Sequence, residues 1–240
     1  MERLQKVIAK AGYCSRRKAE QLILDGRVAV NDKVVDSLGF KVGVGDSIKV
    51  DGKKIILEEN IYLVLNKPRN TISSLKDEKN RPTVMDSLGD ISERVYPVGR
   101  LDFDTTGVLL FTNDGELTNK LLHPSYKVNK VYIATVEGNF TQEYKLILEK
   151  GVTIDGKKTS PCRLKVKKHN KDKNKTIVEV ILQEGFNRQV KKMFESVGYK
   201  VLKLHREEFA GISSRGLYEG QYRVLTKEEV HNLKNVPRGT

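Results

Sequence analysis

The sequence predicts an α+β protein of two domains, a small N-terminal domain and a larger one built on a mixed, mostly antiparallel sheet with short flanking helices. Two observations predict this class. A mostly charged stretch at residues 57–60 separates a short set of helices and hairpins from a longer series of strand-like runs. The helical patterns among those runs are few and short, which favours an antiparallel or mixed sheet over a regular repeat of strand, helix and strand. We therefore place the domain limits at residues 1–58 and 59–240.

Local patterns at the start of the chain predict two short helices followed by two hairpins. Apolar residues at helical spacing give the inner faces, which are Leu4, Val7, Ile8 and Ala11 in the first helix and Ala19, Leu22 and Ile23 in the second. Gly12 and Gly26 end these helices, and Ser15 caps the second one. Hairpin turns are expected at Asn31-Asp32 and Asp51-Gly52, each between runs that alternate apolar and polar residues.

In the larger domain, apolar runs predict six strands and helical spacing predicts four helices. The strands are expected at residues 61–65, 107–112, 131–136, 176–182, 200–205 and 221–225, and the helices at 114–122, 142–150, 187–197 and after Thr226. Thr226 and Glu229 have the spacing of a capping box at the last helix. Residues 163–175 hold seven Lys or Arg around a predicted hairpin tip, which is either a solvated loop or a contact to an RNA backbone.

The composition is that of a basic protein that can bury a core. The 240 residues include 44 Lys and Arg against 31 Asp and Glu, a formal net charge of +13. No apolar run approaches the roughly 20 residues that span a bilayer, and the charged start of the chain argues against a secretory signal. Cys14 and Cys162 form no CxxC pair, as expected for reduced thiols in the cytoplasm. The charge predicts a polyanionic partner, with nucleic acid as the first choice.

Three positive charges open the second predicted helix: Arg16, Arg17 and Lys18. The helix dipole disfavours cations at this end, so they are either a solvated face or a site for an anionic ligand. Two helices with Ser-Arg-Arg at the second, followed by Gly-Arg-Val-x-Val-Asn, resemble the S4 RNA-binding domain. This resemblance spans about 50 residues and implies RNA binding by the N-terminal domain.

Residues 99–115 form the densest segment of candidate chemistry. A polar loop between Gly99 and Gly107 leads into an apolar strand, so its carboxylates lie on a rigid edge and remain accessible. From chemistry alone, Asp102 and Asp104 could be a nucleophile, a general base, a metal-binding pair or turn residues. A metal site would need further ligands, and only Asn113 and Asp114 are near in sequence.

Four motifs in this order resemble the RNA pseudouridine synthases, in the branch that contains ribosomal small-subunit synthase A and large-subunit synthase B. The central one is Gly99-Arg100-Leu101-Asp102, followed by Thr105-Thr106-Gly107 and Thr112-Asn113-Asp114-Gly115. The others are Asn66-Lys67-Pro68, Lys130-Val131-Tyr132, and a basic motif from Glu184 to Met193 followed by Leu204 and Arg206. With the S4 unit, the resemblance covers nearly the whole chain.

The resemblance implies a role for each matching residue. Asp102 is implied as the catalytic aspartate, because a carboxylate can attack an electrophilic carbon and split one hard substitution into two easier ones. Tyr132 is implied to stack on the flipped uracil, whereas the strand pattern alone favours a core aromatic. Arg100 is implied to fill the space that the flipped base leaves. The isomerisation involves no redox change and no leaving group, so no cofactor and no metal are expected.

The basic motif departs from the family at one position that matters. Lys191 stands where relatives carry an arginine that pairs with the catalytic aspartate, and lysine lacks the two-pronged geometry of guanidinium. Lys191 is therefore our candidate third catalytic residue, with Arg188 or Lys192 as substitutes. The expected RNA-binding residues are Arg16, Arg17, Lys18, Lys67, Arg100, Arg188, Lys192 and Arg206. A second departure is Asn70, where relatives often carry Gly; Asn tolerates a positive φ.

The resemblance implies a monomeric cytoplasmic enzyme that isomerises a specific uridine in ribosomal RNA. We expect large-subunit (23S) rRNA as the substrate, with small-subunit (16S) rRNA as the alternative. Two rivals belong to other classes. One is a ribosome-associated RNA-binding protein without activity, against which the intact Asp102 and Tyr132 argue. The other is a metal-dependent phosphodiesterase that uses Asp102, Asp104 and Asp114.

Overall fold

The computed structural model describes residues 1–56, 58–89 and 91–239, and its contacts divide the chain into two units. The first unit consists of residues 1–61 together with Ser92–Val95 and Asn113–Gly115, and the second contains the rest. The predicted domain limits of 1–58 and 59–240 concern which parts fold independently, and they stay a prediction. Leu57, in the predicted charged boundary, and Thr240 lie outside the described residues. None of the described helices is long and apolar enough to cross a membrane.

The first unit has the predicted order of two helices and two hairpins. Its elements are β1 (Glu2–Arg3), α1 (Leu4–Lys10), α2 (Arg16–Leu24), β2 (Val28–Val30), β3 (Lys33–Val34), β4 (Lys41–Val42), β5 (Ile48–Val50) and β6 (Lys53–Lys54). β3, β2, β5 and β6 form an antiparallel sheet in that order, and β1 pairs with β4. The cap is confirmed, since the Ser15 hydroxyl accepts the backbone N–H of Lys18 at 3.2 Å. Asn31, Asp32 and Asp51 have positive φ, as the predicted turns require.

The second unit carries the larger set of elements. Its strands are β7 (Tyr62–Lys67), β8 (Tyr96–Pro97), β9 (Thr106–Thr112), β10 (Lys130–Glu137), β11 (Thr153–Ile154), β12 (Lys157–Lys158), β13 (Arg163–Asn170), β14 (Lys175–Leu182), β15 (Val201–Phe209), β16 (Ile212–Ser213) and β17 (Tyr222–Val224). Its helices are α3 (Gly115–Leu122), α4 (Gln142–Lys150), α5 (Gln189–Ser196) and α6 (Lys227–Lys234), with short 3₁₀ turns at Val84–Ser87 and Pro124–Tyr126. The Thr226–Glu229 capping box at α6 is confirmed.

One nine-stranded sheet organises this unit. Its main order is β13, β14, β10, β15, β9, β7 and β17, and β16 and β8 pair with β15 and β9. β9 and β15 run parallel, whereas β10 is antiparallel to both β14 and β15. The predicted mixed, mostly antiparallel sheet is therefore confirmed. β15 lies between β9 and β10, and its Arg206 pairs with Gly107 at the start of β9 and with Tyr132 on β10.

Two cores form within this unit. One contains Val64, Val108 and Leu110 of β7 and β9 with apolar residues of α3 and α6. The other packs α5 against β10 and β14 through Val190, Met193 and Phe194, the helix face that the spacing predicted. Each fully buried side chain of this kind contributes about 1.5–3 kcal/mol. Packing thus fixes α5, and with it Lys191, over the sheet.

The sequence did not predict β13 as a strand. Half of its eight residues are Lys or Arg, and only Leu164 and Val166 are apolar, so the alternation that marks a half-buried strand is short. β13 is the edge of the sheet and pairs only on one side in the described order, so few of its side chains must be apolar. The predicted hairpin tip is confirmed between Asn170 and Lys175. β15 also extends beyond the predicted 205 to Phe209.

Gly107 allows β9 and β15 to approach each other closely. Its φ is +107°, and a Cβ added to it would lie 2.2 Å from the carbonyl oxygen of Arg206. We expect Gly107→Ala to destabilise the fold by at least about 2 kcal/mol, because both the backbone conformation and the strand pairing would be strained. Urea denaturation checks this. Gly115→Ala is the control, since a Cβ there meets nothing within 4 Å; an equal loss in both variants would contradict the prediction.

Candidate active site

The loop before β9 and the helix α5 enclose a cleft that contains the predicted catalytic residues. Asp102 lies in this loop, Tyr132 lies on β10, and Arg188 lies at the N-terminus of α5. The cleft is lined by Arg100, Leu101, Asp102, Thr105, Tyr132, Leu182, Glu184, Gly185, Phe186, Arg188, Gln189, Val190 and Leu204. Its lining thus combines two carboxylates, two aromatic rings, two arginines and apolar side chains, a combination that suits a planar base next to a phosphate backbone.

Lys191 pairs with the loop carboxylates, as predicted, but with two of them. Its side chain is only 5% exposed, and its Nζ lies 3.3 Å from Oδ2 of Asp102 and 2.5 Å from Oδ1 of Asp104. The contact with Asp104 is the shorter one. Burial acts to raise the pKa of Asp104, but the hydrogen bond and charge of Lys191 outweigh it and hold that pKa below its usual value. The sequence pointed to the Asp102 pair and missed the Asp104 pair.

Lys67 is buried, although the sequence placed it among the RNA-binding residues, and a contact with RNA stays a prediction. The side chain is fully buried, and its Nζ donates hydrogen bonds to the carbonyl oxygens of Thr105 at 2.8 Å, Pro68 at 3.0 Å and Phe103 at 3.4 Å. Burial lowers the pKa of Lys67 to about 8, against the opposing attraction of Asp104 and Asp102. Its role is to tie the loop that carries both carboxylates to the end of β7. The neighbouring Asn70 adopts the positive φ of 57° that its turn needs.

Arg206 is likewise buried, and its predicted contact with RNA stays a prediction. Only 3% of this residue is exposed, its Nε donates to the carbonyl of Val108 at 2.7 Å, and its guanidinium lies 4.8 Å from the ring centre of Phe209. Arg206 therefore braces β15 against β9. Lys130 lies close to Arg206, and its pKa is lowered to about 8. Burial is the larger cause, and the positive charge of Arg206 is the next.

The other basic residues occupy three different places. Arg100 and Arg188 are exposed and line the cleft. Lys192 instead bonds to the carboxylate of Asp155, so it is not the partner of Asp102. In the first unit, the side chains of Arg16, Arg17 and Lys18 are exposed at the N-terminus of α2. Their contacts with RNA stay a prediction.

Glu184 lines the cleft, and no role was predicted for it. Its carboxylate accepts the backbone N–H of Ser160 at 3.0 Å and the Ser160 hydroxyl at 2.8 Å, and it accepts the Gln189 amide at 2.5 Å. Gln189 in turn accepts the backbone N–H of Phe186 at 3.0 Å. These bonds fix the turn that presents Arg188, whose φ is 53°. In the sequence, the five-residue spacing of Glu184 and Gln189 within the basic motif could have indicated their hydrogen bond.

The geometry does not assemble the metal site of the phosphodiesterase rival. Across residues 1–56, 58–89 and 91–239, no group of three or more His, Cys, Asp or Glu side chains is placed to hold a metal ion. Asp102 and Asp104 share a lysine instead, and Asp114 does not join them. An ammonium between two carboxylates fills the position that a bridging cation would take.

Comparison with known proteins agrees with this arrangement. Residues 61–196 match the family described as RNA pseudouridylate synthase, and residues 2–48 match the S4 domain. The chain is 50% identical over 234 residues to ribosomal large subunit pseudouridine synthase B of Bacillus subtilis, covering 98% of this chain and 96% of that protein. It is 37% identical to a dual-specificity RNA pseudouridine synthase of Escherichia coli, covering 96% and 78%.

A solved structure shares the fold over the full length. It is described as a pseudouridylate synthase, has a TM-score of 0.69 at 29% identity, and the match covers 97% of this chain and all of that one. Both the S4 part and the larger part of the chain therefore match known relatives. This chain belongs to the RNA pseudouridylate synthase family and carries an S4 domain at its N-terminus.

Proposed function

We propose that this protein converts a uridine of large-subunit ribosomal RNA to pseudouridine, with Asp102 as the nucleophile. The observation that carries the proposal is the cleft itself, which places Asp102 with Tyr132 on its wall and a buried Lys191 behind it. The relative from Bacillus subtilis, named for the large subunit and 50% identical, favours that substrate over the small-subunit alternative.

The reaction breaks the bond between N1 of uracil and C1′ of ribose, turns the base and joins C5 to C1′. The Asp102 carboxylate supplies the electron pair for a covalent intermediate, which resolves when the new carbon–carbon bond forms. The proton at C5 then leaves and N1 gains one, so atoms balance without a co-reactant. Tyr132 lines the cleft and supplies a ring face for the base, and its hydroxyl can donate or accept a hydrogen bond during such a proton transfer. Lys191 orients the nucleophile through its contact at 3.3 Å.

The substrate is tested by mapping pseudouridines in both ribosomal RNAs from cells with and without the gene. We expect one or a few sites to disappear from the large-subunit RNA and to return when purified protein is added to that RNA. Loss of sites confined to the small-subunit RNA would transfer the proposal to the alternative. An unchanged map, with no conversion by the purified protein, would leave an RNA-binding protein without activity.

The first unit is proposed to supply RNA affinity and placement. We expect Arg16→Ala with Arg17→Ala to weaken rRNA binding and to lower the slope of log affinity against log salt by up to about two, because each phosphate contact releases about one counterion. The rate of a single turnover at saturating RNA should change little, since Asp102 and the cleft lie in the second unit.

Lys53→Ala with Lys54→Ala is the matched control for that pair. It removes the same charge from exposed positions of β6 in the same unit. A smaller change in the salt slope is expected for the control. Equal slopes for the two double variants would show that total charge, not the start of α2, determines affinity.

We also propose that the protein acts as a monomer in the cytoplasm, where its ribosomal substrate is made.

A further inference from the structure

Lys191 cannot serve Asp102 alone, because a second carboxylate holds it more closely. Its Nζ is 2.5 Å from Asp104 and 3.3 Å from Asp102, and its side chain is 95% buried by the packing of α5. An ammonium has three N–H groups at tetrahedral angles, so it can donate to both carboxylates at once, but its position follows the stronger bond. The stronger bond here is the one to Asp104.

We propose that Asp104 is a positioning residue, which anchors Lys191 so that its ammonium orients Asp102 from 3.3 Å without closing to the shorter contact that it makes with Asp104. The inference rests on the proposed role of Asp102. A nucleophilic carboxylate loses negative charge as its bond to carbon forms. An interaction that stabilises the free carboxylate more than the transition state therefore slows the reaction. Because Lys191 lies closer to Asp104 than to Asp102, it stabilises the free Asp102 carboxylate less than an undivided ion pair would.

The backbone around Asp104 is built to hold this arrangement. Lys67 bonds to the carbonyls of Phe103 and Thr105, on both sides of Asp104, and the N–H of Thr105 donates to the carbonyl of Asp102 at 3.1 Å. The loop therefore cannot move Asp104 away from Lys191 without breaking buried hydrogen bonds. The depressed pKa of Asp104 agrees with a carboxylate that stays charged beside the lysine. Arg188 adds a further attraction from α5.

The test compares Asp104→Asn with Asp104→Glu in single turnovers of large-subunit RNA. Asn keeps the shape and removes the charge, whereas Glu keeps the charge and changes the shape. We expect the Asn variant to react about tenfold more slowly, the scale of one lost charge-assisted hydrogen bond. The Glu variant should stay within about threefold of the native rate, since its carboxylate is half exposed and has room to reach the lysine. RNA affinity should be the same for both.

Asp155→Asn is the matched control. It removes the carboxylate that bonds to the next lysine of the same helix, Lys192, outside the cleft, and Asn accepts the positive φ of 49° at that position. We expect the native rate. A purely structural role for Asp104 would give the opposite order, with Asn harmless and Glu damaging, and would overturn the proposal. Native activity in the Asn variant would overturn it as well.

A measurement without substrate separates this inference from the proposed function. In urea denaturation, Asp104→Asn should lower the midpoint of the native protein but should not lower it when Lys191→Met is already present. Equal shifts in both backgrounds would show that Asp104 and Lys191 are not coupled. If the native protein made no pseudouridine, the proposed function would fail, and this coupling would still be measured.

Discussion

The Asp102→Asn variant should form no measurable pseudouridine, a loss of at least about 10⁴-fold, the scale seen when a covalent nucleophile is removed. The amide keeps the size of the side chain but cannot attack an electrophilic carbon. Since Asp102 lies in an accessible cleft and not in a core, folding and RNA affinity should remain close to native. Single-turnover assays on large-subunit RNA, with binding measured on the same RNA, check both expectations.

Asp114→Asn is the control that also separates the rival chemistry. Asp114 belongs to no described metal-binding cluster, and it directly precedes helix α3, a position that favours Asn as much as Asp. The synthase mechanism predicts normal turnover for this variant and no effect of excess chelator. Substantial turnover by the Asp102→Asn protein would remove Asp102 from the mechanism. Loss of activity on chelation, together with an inactive Asp114→Asn protein, would favour the phosphodiesterase.

The second large effect is expected at Lys191. Lys191→Met keeps the buried stem and removes the ammonium that two carboxylates share. We expect turnover to fall by about 100-fold, because breaking a buried charge pair costs roughly 3–5 kcal/mol and part of that cost falls on the reactive carboxylate. RNA affinity should change by less than about threefold, since Lys191 is enclosed and offers no contact to a backbone phosphate.

The pH dependence of stability gives this prediction a second measurement. Lys191 lowers the pKa of Asp104, so the stability that their pairing contributes is present above the ordinary aspartate pKa of about 4 and is lost as the pH falls below it. That acid dependence should weaken in Lys191→Met. Lys145→Met, which breaks the half-buried pair with Glu149 on α4, is the control and should keep normal turnover. If the Lys191→Met protein were active and an Arg188→Met protein were inactive, Arg188 would replace Lys191 as the functional partner of Asp102.

Features that depend on local chemistry were predictable from the sequence. Ser15 and Thr226 cap their helices, the Asn31-Asp32 turn closes its hairpin, and Val190 faces the core at helical spacing. Each of these depends on residues within one turn of a helix or one hairpin. Such short-range rules do not need the rest of the fold.

Features that depend on burial, or on contacts between residues far apart in the chain, were not predictable from the sequence. Lys67 and Arg206 were expected to bind RNA because they are basic and lie in family motifs, but the sequence does not show that the sheet encloses both. Asp104 and Lys191 are 87 residues apart, and their contact arises only when α5 packs over the loop. The aspartate–lysine pair was predicted through the resemblance, which placed Asp102 in it but not Asp104.

The buried amine of Lys67 also bears on how mutational and evolutionary data for this protein should be read. A lysine retained at this position through divergence would record selection on the shape of the aspartate loop, because its three acceptors are main-chain carbonyls that any loop sequence supplies. The side chains of the loop are then free to diverge while the loop's path is preserved. Conservation of Lys67 would therefore indicate that the backbone path of the aspartate loop is conserved. It would not indicate that related enzymes select the same RNA.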